Sequence, residues 1–469
     1  MELNGALSGH PSPGRARIPS RRRLLPLVAI GILALGFALH CGGEKQSTEL
    51  DGIIFIVGDG MGLSMISQAS LESAEPLALE SMPIVGLQKT YSTSGSITDS
   101  AAAITAMLTG HKTRNKWIGV DESGQRRKTL FEIAQERNWS TAIISTSSVT
   151  HATPAGALVH SKDRHNDADI ARQLSLNPPD ILIGGGRDYF FQVRPLSADQ
   201  TGTNNPDSDE SPGPEGSEGY DATPSETRKT DVSTFLDFLS GSHTVQLSYQ
   251  DFMSQDCDDL CVDGKPADRF IGLLAQDHLP PVDPNHKLNY KKDDANPNPR
   301  RELETLDASL SDWMRGLLDN PPPEPGNRKN YLKTASLRSL RTLLARQRPF
   351  LMLIEGSQID WGGHANRADY AIRELVDLDE TLEALLRETE GRNVLIVVTA
   401  DHETGGHAIV DGRPGSLQKS EFITHKHTAE MVPVFARGPG AESFTGVYEN
   451  TDIFHKLLAV MNATPAFSH

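Results

Sequence analysis

Residues 53–60 read IIFIVGDG, a continuous apolar run that stops at a glycine and an aspartate. Two later stretches repeat this pattern, FLMLIEG at 350–356 and VLIVVTADHE at 394–403. Short runs that are apolar at every position are typical of strands covered on both faces, as in a largely parallel sheet. Each run ends in acidic residues. Because ligands of open α/β sheets bind at the carboxyl ends of the strands, we expect these acids to meet at one edge.

The remaining periodicity supports the same fold class. Residues 142–145 and 181–183 are further strand candidates, and residues 365–388 carry leucines and an isoleucine at spacings of three and four, which predicts an amphipathic helix. Strands that alternate with helical patterns indicate an α/β protein with a buried, largely parallel sheet.

Charge excludes one class of partner. The 469 residues include 45 Lys and Arg against 62 Asp and Glu, so the formal net charge is −17. Such a chain lacks the broad basic face that nucleic-acid binding requires, and we expect no nucleic-acid partner. Three cysteines are too few for a disulfide scaffold.

The N-terminus predicts export to the periplasm or the cell envelope. The string SRRRLL at 20–25 resembles a twin-arginine signal, and the apolar run at 24–39 is shorter than the ~20 residues of a membrane-spanning helix. We therefore predict a signal peptide over 1–41 and a tether over 42–50. Cys41 lies where a lipoprotein signal places its lipidated cysteine. His40 replaces the usual small residue before it, so cleavage near Ala38 without a lipid anchor is the alternative.

The segment after the tether is interpreted as one domain over 51–469 with an insertion at about 187–345. Within the insertion, residues 196–227 are rich in Asp, Glu, Ser, Pro and Gly, which predicts a flexible acidic loop. Cys257 and Cys261 form the pattern CDDLC, for which a local disulfide is favoured over a metal site.

The strand-end acids are the first candidates for chemistry. Asp59, Glu355, Asp360 and Asp401, together with His402, would form a cluster of carboxylates that repel one another unless cations neutralise them. Carboxylates combined with histidine are ligands that suit zinc and magnesium. Any one of these acids on its own is as readily explained as a helix cap.

Residues 96–110, SITDSAAAITAMLTG, place Asp99 and Ser100 at the head of an alanine-rich helix that Gly110 ends. Ser100 is either a helix N-cap or a hydroxyl placed beside unpaired N–H groups that favour a phosphate. The local pattern leaves both interpretations open.

Six spaced motifs give the chain a specific resemblance. They are GDGMG (58–62), TDSAAA (98–103), THATPAGALVHSKDR (150–164), EGSQIDWGGH (355–364), TADHETGG (399–406) and HTAEMVPVFA (427–436). In this order they resemble the alkaline phosphatase family from Ile53 to about Met461. The resemblance implies a three-layer α/β/α sandwich with a central mixed sheet. It also implies hydrolysis of small phosphate monoesters through a phosphoserine, with two Zn²⁺ and one Mg²⁺.

The resemblance also implies roles for single residues. Ser100 matches the nucleophile, Arg164 the arginine that binds the substrate phosphate, and Asp99 the residue that orients it. The implied ligands are Asp360, His364 and His427 for one zinc, Asp59, Asp401 and His402 for the second, and Asp59, Thr153 and Glu355 for magnesium.

Two positions depart from the best-known enteric bacterial pattern. His151 stands in place of an aspartate near the magnesium site, and Trp361 in place of a lysine near the phosphate. His151 could instead cap a turn, and Trp361 could simply pack. Only about 20 residues separate Gly406 from His427, so the crown-like insertion of some relatives is absent or minimal, which leaves a homodimer open.

Three functions remain to be weighed. An exported phosphate monoesterase is favoured because Ser100 and Arg164 occur together. A phosphodiesterase or sulfatase-like relative with the same metal core is the alternative within catalysis. A surface lipoprotein that binds metal or phosphate without turnover is the alternative outside it.

Overall fold

The structure is a computed structural model that describes residues 50–190, 244–262, 264–282, 328 and 330–463. The predicted signal peptide, Cys41, nearly all of the tether and the acidic loop 196–227 lie outside the described residues. Within the described part of the chain, no helix is both long enough and apolar enough to cross a membrane.

The described strands comprise one large sheet and three small two-stranded sheets. Their bounds are β1 (Gly52–Gly58), β2 (Ile84–Lys89), β3 (Ser140–Ser148), β4 (Ile181–Gly185), β5 (Thr244–Gln246), β6 (Cys261–Val262), β7 (Lys265–Pro266), β8 (Phe270–Leu273), β9 (Phe350–Gly356), β10 (Val394–Thr399), β11 (Glu403–Thr404), β12 (His407–Asp411), β13 (Lys419–Phe422), β14 (His427–Thr428), β15 (Val432–Arg437) and β16 (Gly446–Glu449).

Helices cover both faces of the large sheet. Their bounds are α1 (Leu63–Glu72), α2 (Ser100–Thr109), α3 (Leu130–Glu136), α4 (Ala152–Ala155), α5 (Asp167–Leu176), α6 (Arg187–Phe190), α7 (Tyr249–Ser254), α8 (Tyr331–Ala345), α9 (Gln358–His364), α10 (Ala368–Glu388) and α11 (Asn450–Ala463), with 3₁₀ turns at Ala78–Ser81 and Ala441–Phe444.

The large sheet has the order β16-β2-β15-β10-β1-β9-β3-β4-β8-β5. Only β15 runs antiparallel to its neighbours among these ten strands, so the sheet is mixed and largely parallel. The predicted α/β three-layer fold is confirmed, and the five strand candidates are β1, β3, β4, β9 and β10.

The central strand β1 shows why its sequence is apolar throughout. Alternate side chains of a strand point to opposite faces. Ile53, Phe55 and Val57 pack into one core with helix α2. Ile54 and Ile56 pack into the other core, with residues of α1, α8 and α10. Every side chain of the run is therefore buried.

The predicted helix over 365–388 begins three residues later than expected. Asn366 adopts a positive φ of 52°, which ends the short helix α9 and separates it from α10. This break matters for the site because α9 carries Asp360 and His364.

The described parts of the predicted insertion are continuous with the large sheet. β8 pairs with β4, and β5 forms the edge strand beside β8. The predicted disulfide between Cys257 and Cys261 is present, with a Cα–Cα distance of 6.4 Å. Helix α8, at the end of the insertion, packs against α10 and β3.

Candidate metal and phosphate site

The register of the sheet brings the strand-end acids together. Val57 of β1 pairs with Glu355 of β9 on one side and with Thr399 of β10 on the other. Asp59 and Asp401 each lie two residues beyond this row. All three carboxylates are at most 1% exposed, and the backbone N–H of Gly60 donates to Asp401 Oδ1 at 3.1 Å. The predicted convergence at one edge is confirmed.

Three groups of these residues are close enough to hold a metal ion. In each group the candidate ligand atoms lie within 4.8 Å of one another. The groups are Asp360, His402 and His427; Asp59, Asp401 and His402; and Asp59, His151 and Glu355.

The first group is extended by His364. Its Nε2 lies 3.3 Å from Asp360 Oδ2 and 3.1 Å from His427 Nε2. The Nδ1 atoms of both rings contact backbone carbonyls, His364 with His425 at 2.6 Å and His427 with Thr98 at 2.9 Å. Since a carbonyl only accepts hydrogen bonds, each Nδ1 is a donor, and Nε2 is the ring atom of each histidine that faces Asp360.

The second group lies beside it. His402 Nε2 is 3.2 Å from Asp401 Oδ2 and 3.6 Å from Asp59 Oδ1. The rings of His402 and His427 stack with centroids 3.6 Å apart. Burial is the main cause that lowers the pKa of His402 well below its usual value, so this ring is neutral, the form that binds metals.

The third group surrounds Glu355. Its Oε2 accepts hydrogen bonds from Ser145 Oγ at 2.5 Å and Ser147 Oγ at 3.0 Å. Its Oε1 lies 4.0 Å from His151 Nδ1. Thr153 is fully buried, and its hydroxyl is close enough to lower the pKa of Glu355.

The unpaired oxygens of these acids fit cation binding. Asp59 Oδ1, Glu355 Oε1 and Asp401 Oδ2 are buried without a hydrogen-bond partner. Burial raises the pKa of Asp59 well above its usual value, that of Glu355 to about 7 and that of Asp401 to about 6. A carboxylate in this position needs either a proton or a cation, and the donor set of carboxylates, histidines and hydroxyls suits zinc and magnesium.

The structure resolves the two interpretations of Ser100. Asp99 is the N-cap of α2, because its Oδ1 accepts a hydrogen bond from the backbone N–H of Ala102 at 3.0 Å. Ser100 is the first helical residue, so the N-cap interpretation of Ser100 is wrong. Its hydroxyl lies 3.4 Å from Asp59 Oδ2 and 3.3 Å from His402 Nε2. Only 2% of Ser100 is exposed.

Arg164 is held by two neighbours, one of which is Asp99, the residue before Ser100. One terminal nitrogen donates to Asp99 Oδ2 at 3.2 Å, and the other contacts His151 Nε2 at 3.0 Å. Because a guanidinium only donates, His151 Nε2 is the acceptor and the proton of this ring is on Nδ1, toward Glu355. Burial, then the charge of Arg164, lowers the pKa of His151 well below its usual value and keeps it neutral.

His151 and Trp361 are the two residues that differ from the enteric bacterial pattern, and the structure tests the structural alternative given for each. His151 precedes α4 but makes no side-chain capping bond, so the capping interpretation is wrong. Trp361 does pack, edge-on against His278 with ring centroids 4.7 Å apart, and 6.4 Å from the centroid of His151.

Sequence reasoning missed several residues that support the site. Ser145 and Ser147 lie among the last four residues of β3, which pairs with β9, the strand that carries Glu355. The polar end of β3 was therefore an available signal. Thr404 donates to Asp360 Oδ1. His278 accepts the backbone N–H of Ser148 at 2.8 Å, and no local pattern indicated it.

Comparison with known proteins agrees with this geometry. The family model described as "Alkaline phosphatase" matches residues 51–209, 325–412 and 416–463. The chain belongs to the alkaline phosphatase family. It is 28% identical to the tissue-nonspecific alkaline phosphatase of Gallus gallus, over 91% of this chain and 79% of the relative. It is 27% identical to the streptomycin-6-phosphate phosphatase of Streptomyces griseus, over 95% and 98%.

Solved structures of the family share the fold. The alkaline phosphatase of the Antarctic bacterium TAB5 is 29% identical and has a TM-score of 0.65, covering 88% of this chain and 98% of its own. A histidine-to-aspartate variant of the same enzyme, solved with magnesium bound, gives a TM-score of 0.64 at 28% identity. Family membership and the clustered ligands support a metal-dependent, phosphatase-type hydrolase that acts on phosphate esters.

Proposed function

We propose that this protein hydrolyses phosphate monoesters to an alcohol and inorganic phosphate through a phosphoserine at Ser100. The observation that carries the proposal is the position of the Ser100 hydroxyl. It is buried, free of any capping role, and within 3.4 Å of both Asp59 and His402. These two residues belong to the carboxylate and histidine groups at the strand ends.

The metal complement of the proposal is two Zn²⁺ and one Mg²⁺. His364 and His427 would hold one zinc with Asp360, and His402 the second with Asp59 and Asp401. Thr153 and Glu355 would hold magnesium, with Asp59 shared. When bound, these ions supply Lewis-acid stabilisation of negative charge on the attacking and leaving oxygens.

The residues around the phosphate divide the remaining work. The Ser100 oxygen attacks phosphorus while the bond from phosphorus to the ester oxygen breaks, and water then cleaves the phosphoserine to restore the hydroxyl. The N–H groups in the first turn of α2 favour the bound anion. Arg164 offers a planar fork of donors to two phosphate oxygens, and Asp99 and His151 hold that fork in place.

The predicted export signal and Cys41 extend the proposal to location. A signal over 1–41 would place the enzyme in the periplasm or, if Cys41 is lipidated, on a membrane of the cell envelope. Substrates would then be small monoesters outside the cytoplasm.

The decisive experiment compares two chromogenic substrates. Purified mature protein is assayed on 4-nitrophenyl phosphate and on bis(4-nitrophenyl) phosphate, with and without chelator, beside Ser100→Ala. We expect preference for the monoester, and loss of at least ~10³-fold of the rate on chelation or on removal of Ser100. Ser248→Ala is the matched control, because Ser248 is the N-cap of α7 and lies outside the site.

The outcomes separate the candidates. Faster cleavage of the diester would support the phosphodiesterase alternative. Stoichiometric metal or phosphate binding without turnover would support a binding protein. Activity that survives both chelation and Ser100→Ala would refute the mechanism.

A further inference from the structure

A group of cations outside the reacting centre has no place in the mechanism. Arg114, Lys116 and Lys162 are exposed, and they lie on the two chain segments that flank Arg164. We define these three residues as the cation patch. None of them forms an ion pair with any acid among the described residues.

Backbone hydrogen bonds fix the patch next to the phosphate-binding residues. The N–H of Lys116 donates to Asp99 Oδ2 at 2.9 Å, and the carbonyl of Lys116 accepts the N–H of Arg164 at 2.9 Å. Ile118 and Ser161 exchange backbone hydrogen bonds, which holds the segment that carries Lys162 alongside. The backbone of Lys116 is therefore hydrogen-bonded directly to both Asp99 and Arg164.

The two other cations share one aromatic ring. The Arg114 guanidinium lies 5.2 Å and the Lys162 ammonium 5.3 Å from the ring centroid of Trp117. The cation–π attraction holds both cations near this ring, but a neutral ring does not cancel their charge. The acid in the same loop, Asp163, accepts the backbone N–H of His165 and pairs with neither cation. The patch is left with positive charge that an anion would neutralise.

The backbone at Lys116 adds an independent observation. Its φ is 72°, in the left-handed region that glycine adopts without strain and that a long side chain adopts at a cost. Lys116 is exposed, so a long charged side chain is kept at this strained position in a chain whose formal net charge is −17. Strained residues of this kind concentrate at ligand-binding sites.

We propose that the cation patch binds a second phosphate group on the alcohol part of the substrate, so that sugar bisphosphates and similar polyanionic monoesters are preferred. This inference rests on the proposed monoesterase function and names a substrate class for it. The acidic body of the protein repels such substrates in general, and the patch provides a local attraction beside Arg164.

The test compares fructose 6-phosphate with fructose 1,6-bisphosphate. The double variant Lys116→Gln/Lys162→Gln should lower kcat/KM for the bisphosphate about three- to tenfold and that for the monophosphate less than about twofold. The difference between the losses on the two substrates should shrink as the salt concentration rises from 10 to 300 mM, because salt screens exposed charges. The bisphosphate offers two phosphates for cleavage, which raises its kcat/KM in every variant alike. Each variant is therefore compared with the wild type on the same substrate.

The matched control removes two charges elsewhere. Lys265→Gln/Lys419→Gln changes exposed lysines on β7 and β13 and should leave the ratio of the two kcat/KM values unchanged. Equal losses on both substrates, an unchanged ratio in the patch variant, or the same selective loss in the control would each overturn the inference. A wild-type enzyme that cleaves 4-nitrophenyl phosphate but neither sugar phosphate would also overturn the inference, and one that cleaves none of the three would overturn the proposed function.

Discussion

Replacement of Glu355 by glutamine should stabilise the metal-free protein and destabilise the metal-loaded one. Glu355 is fully buried, with Oε1 unpaired and Oε2 held by Ser145 and Ser147. Burial raises its pKa from 4.5 to about 7. In the absence of metal, the folded state therefore holds a proton that the unfolded state releases, so folding stability falls as pH rises from about 4.5 to about 7.

The size of the effect follows from this shift. Because Glu355 ionises more readily in the unfolded chain, its titration lowers the free energy of unfolding by about 3 kcal/mol at pH 8 and by about 1 kcal/mol at pH 5. Glutamine keeps an acceptor for the two serines and carries no charge, so it removes this cost. We expect the metal-stripped variant to melt about 3 to 6 °C above the wild type at pH 8, with most of that gain lost at pH 5. In Zn²⁺ and Mg²⁺ the order reverses, because a ligand is missing.

Thermal unfolding between pH 5 and 8, with chelator or with both metals, measures these four cases. Glu374→Gln is the matched control, because Glu374 is equally buried but already paired with Arg328. Its loss should destabilise the protein whether or not metal is present. A Glu355→Gln protein that is less stable than the wild type in chelator at pH 8 would refute the account of the unpaired carboxylate.

Three further predictions concern single histidines and Trp361. His425→Ala should weaken zinc binding about 10-fold in a metal titration, since the His425 ring donates to the backbone carbonyl of the zinc-ligand candidate His364 and helps to fix its position. The exposed His455→Ala should have no effect. Trp361→Lys should lower the inhibition constant of phosphate about three- to fivefold, because a cation replaces a neutral ring beside the anion; an unchanged constant would contradict this role. Burial lowers the pKa of His407 to about 4, so folding stability is lost as pH falls from about 6.5 to 4. His407→Gln should remove this loss, which amounts to about 2 kcal/mol in the free energy of unfolding at pH 5. Equal pH dependence of the free energy of unfolding in the variant and the wild type would count against this prediction.

Much of the sheet could be predicted from the sequence because its central strands are recognisable from their own residues. The apolar runs that precede Asp59, Glu355 and Asp401 are buried on both faces, so their composition carries the signal without reference to any partner. The strand-end position of the acids follows from the same runs. The helix over 365–388 was predicted with a displaced start, because the positive φ at Asn366 has no strong local signal.

The assignment of individual ligands depended on the family resemblance and then on geometry. Residues 59 and 401 are 342 positions apart, and no periodicity relates them. Only the parallel pairing of β1 with β9 and β10 aligns their ends in one row.

The sequence by itself determined that this is an α/β protein with acids at the ends of its strands and motifs of a phosphatase, because those features are written within short segments. Tertiary structure alone decided that Asp99 and not Ser100 caps its helix, that His278 packs on Trp361, and that the backbone of Lys116 bonds to Arg164. These are contacts between loops and strand ends. Their partners are chosen by strand register and by backbone hydrogen bonds, which the residue types of a single segment do not specify.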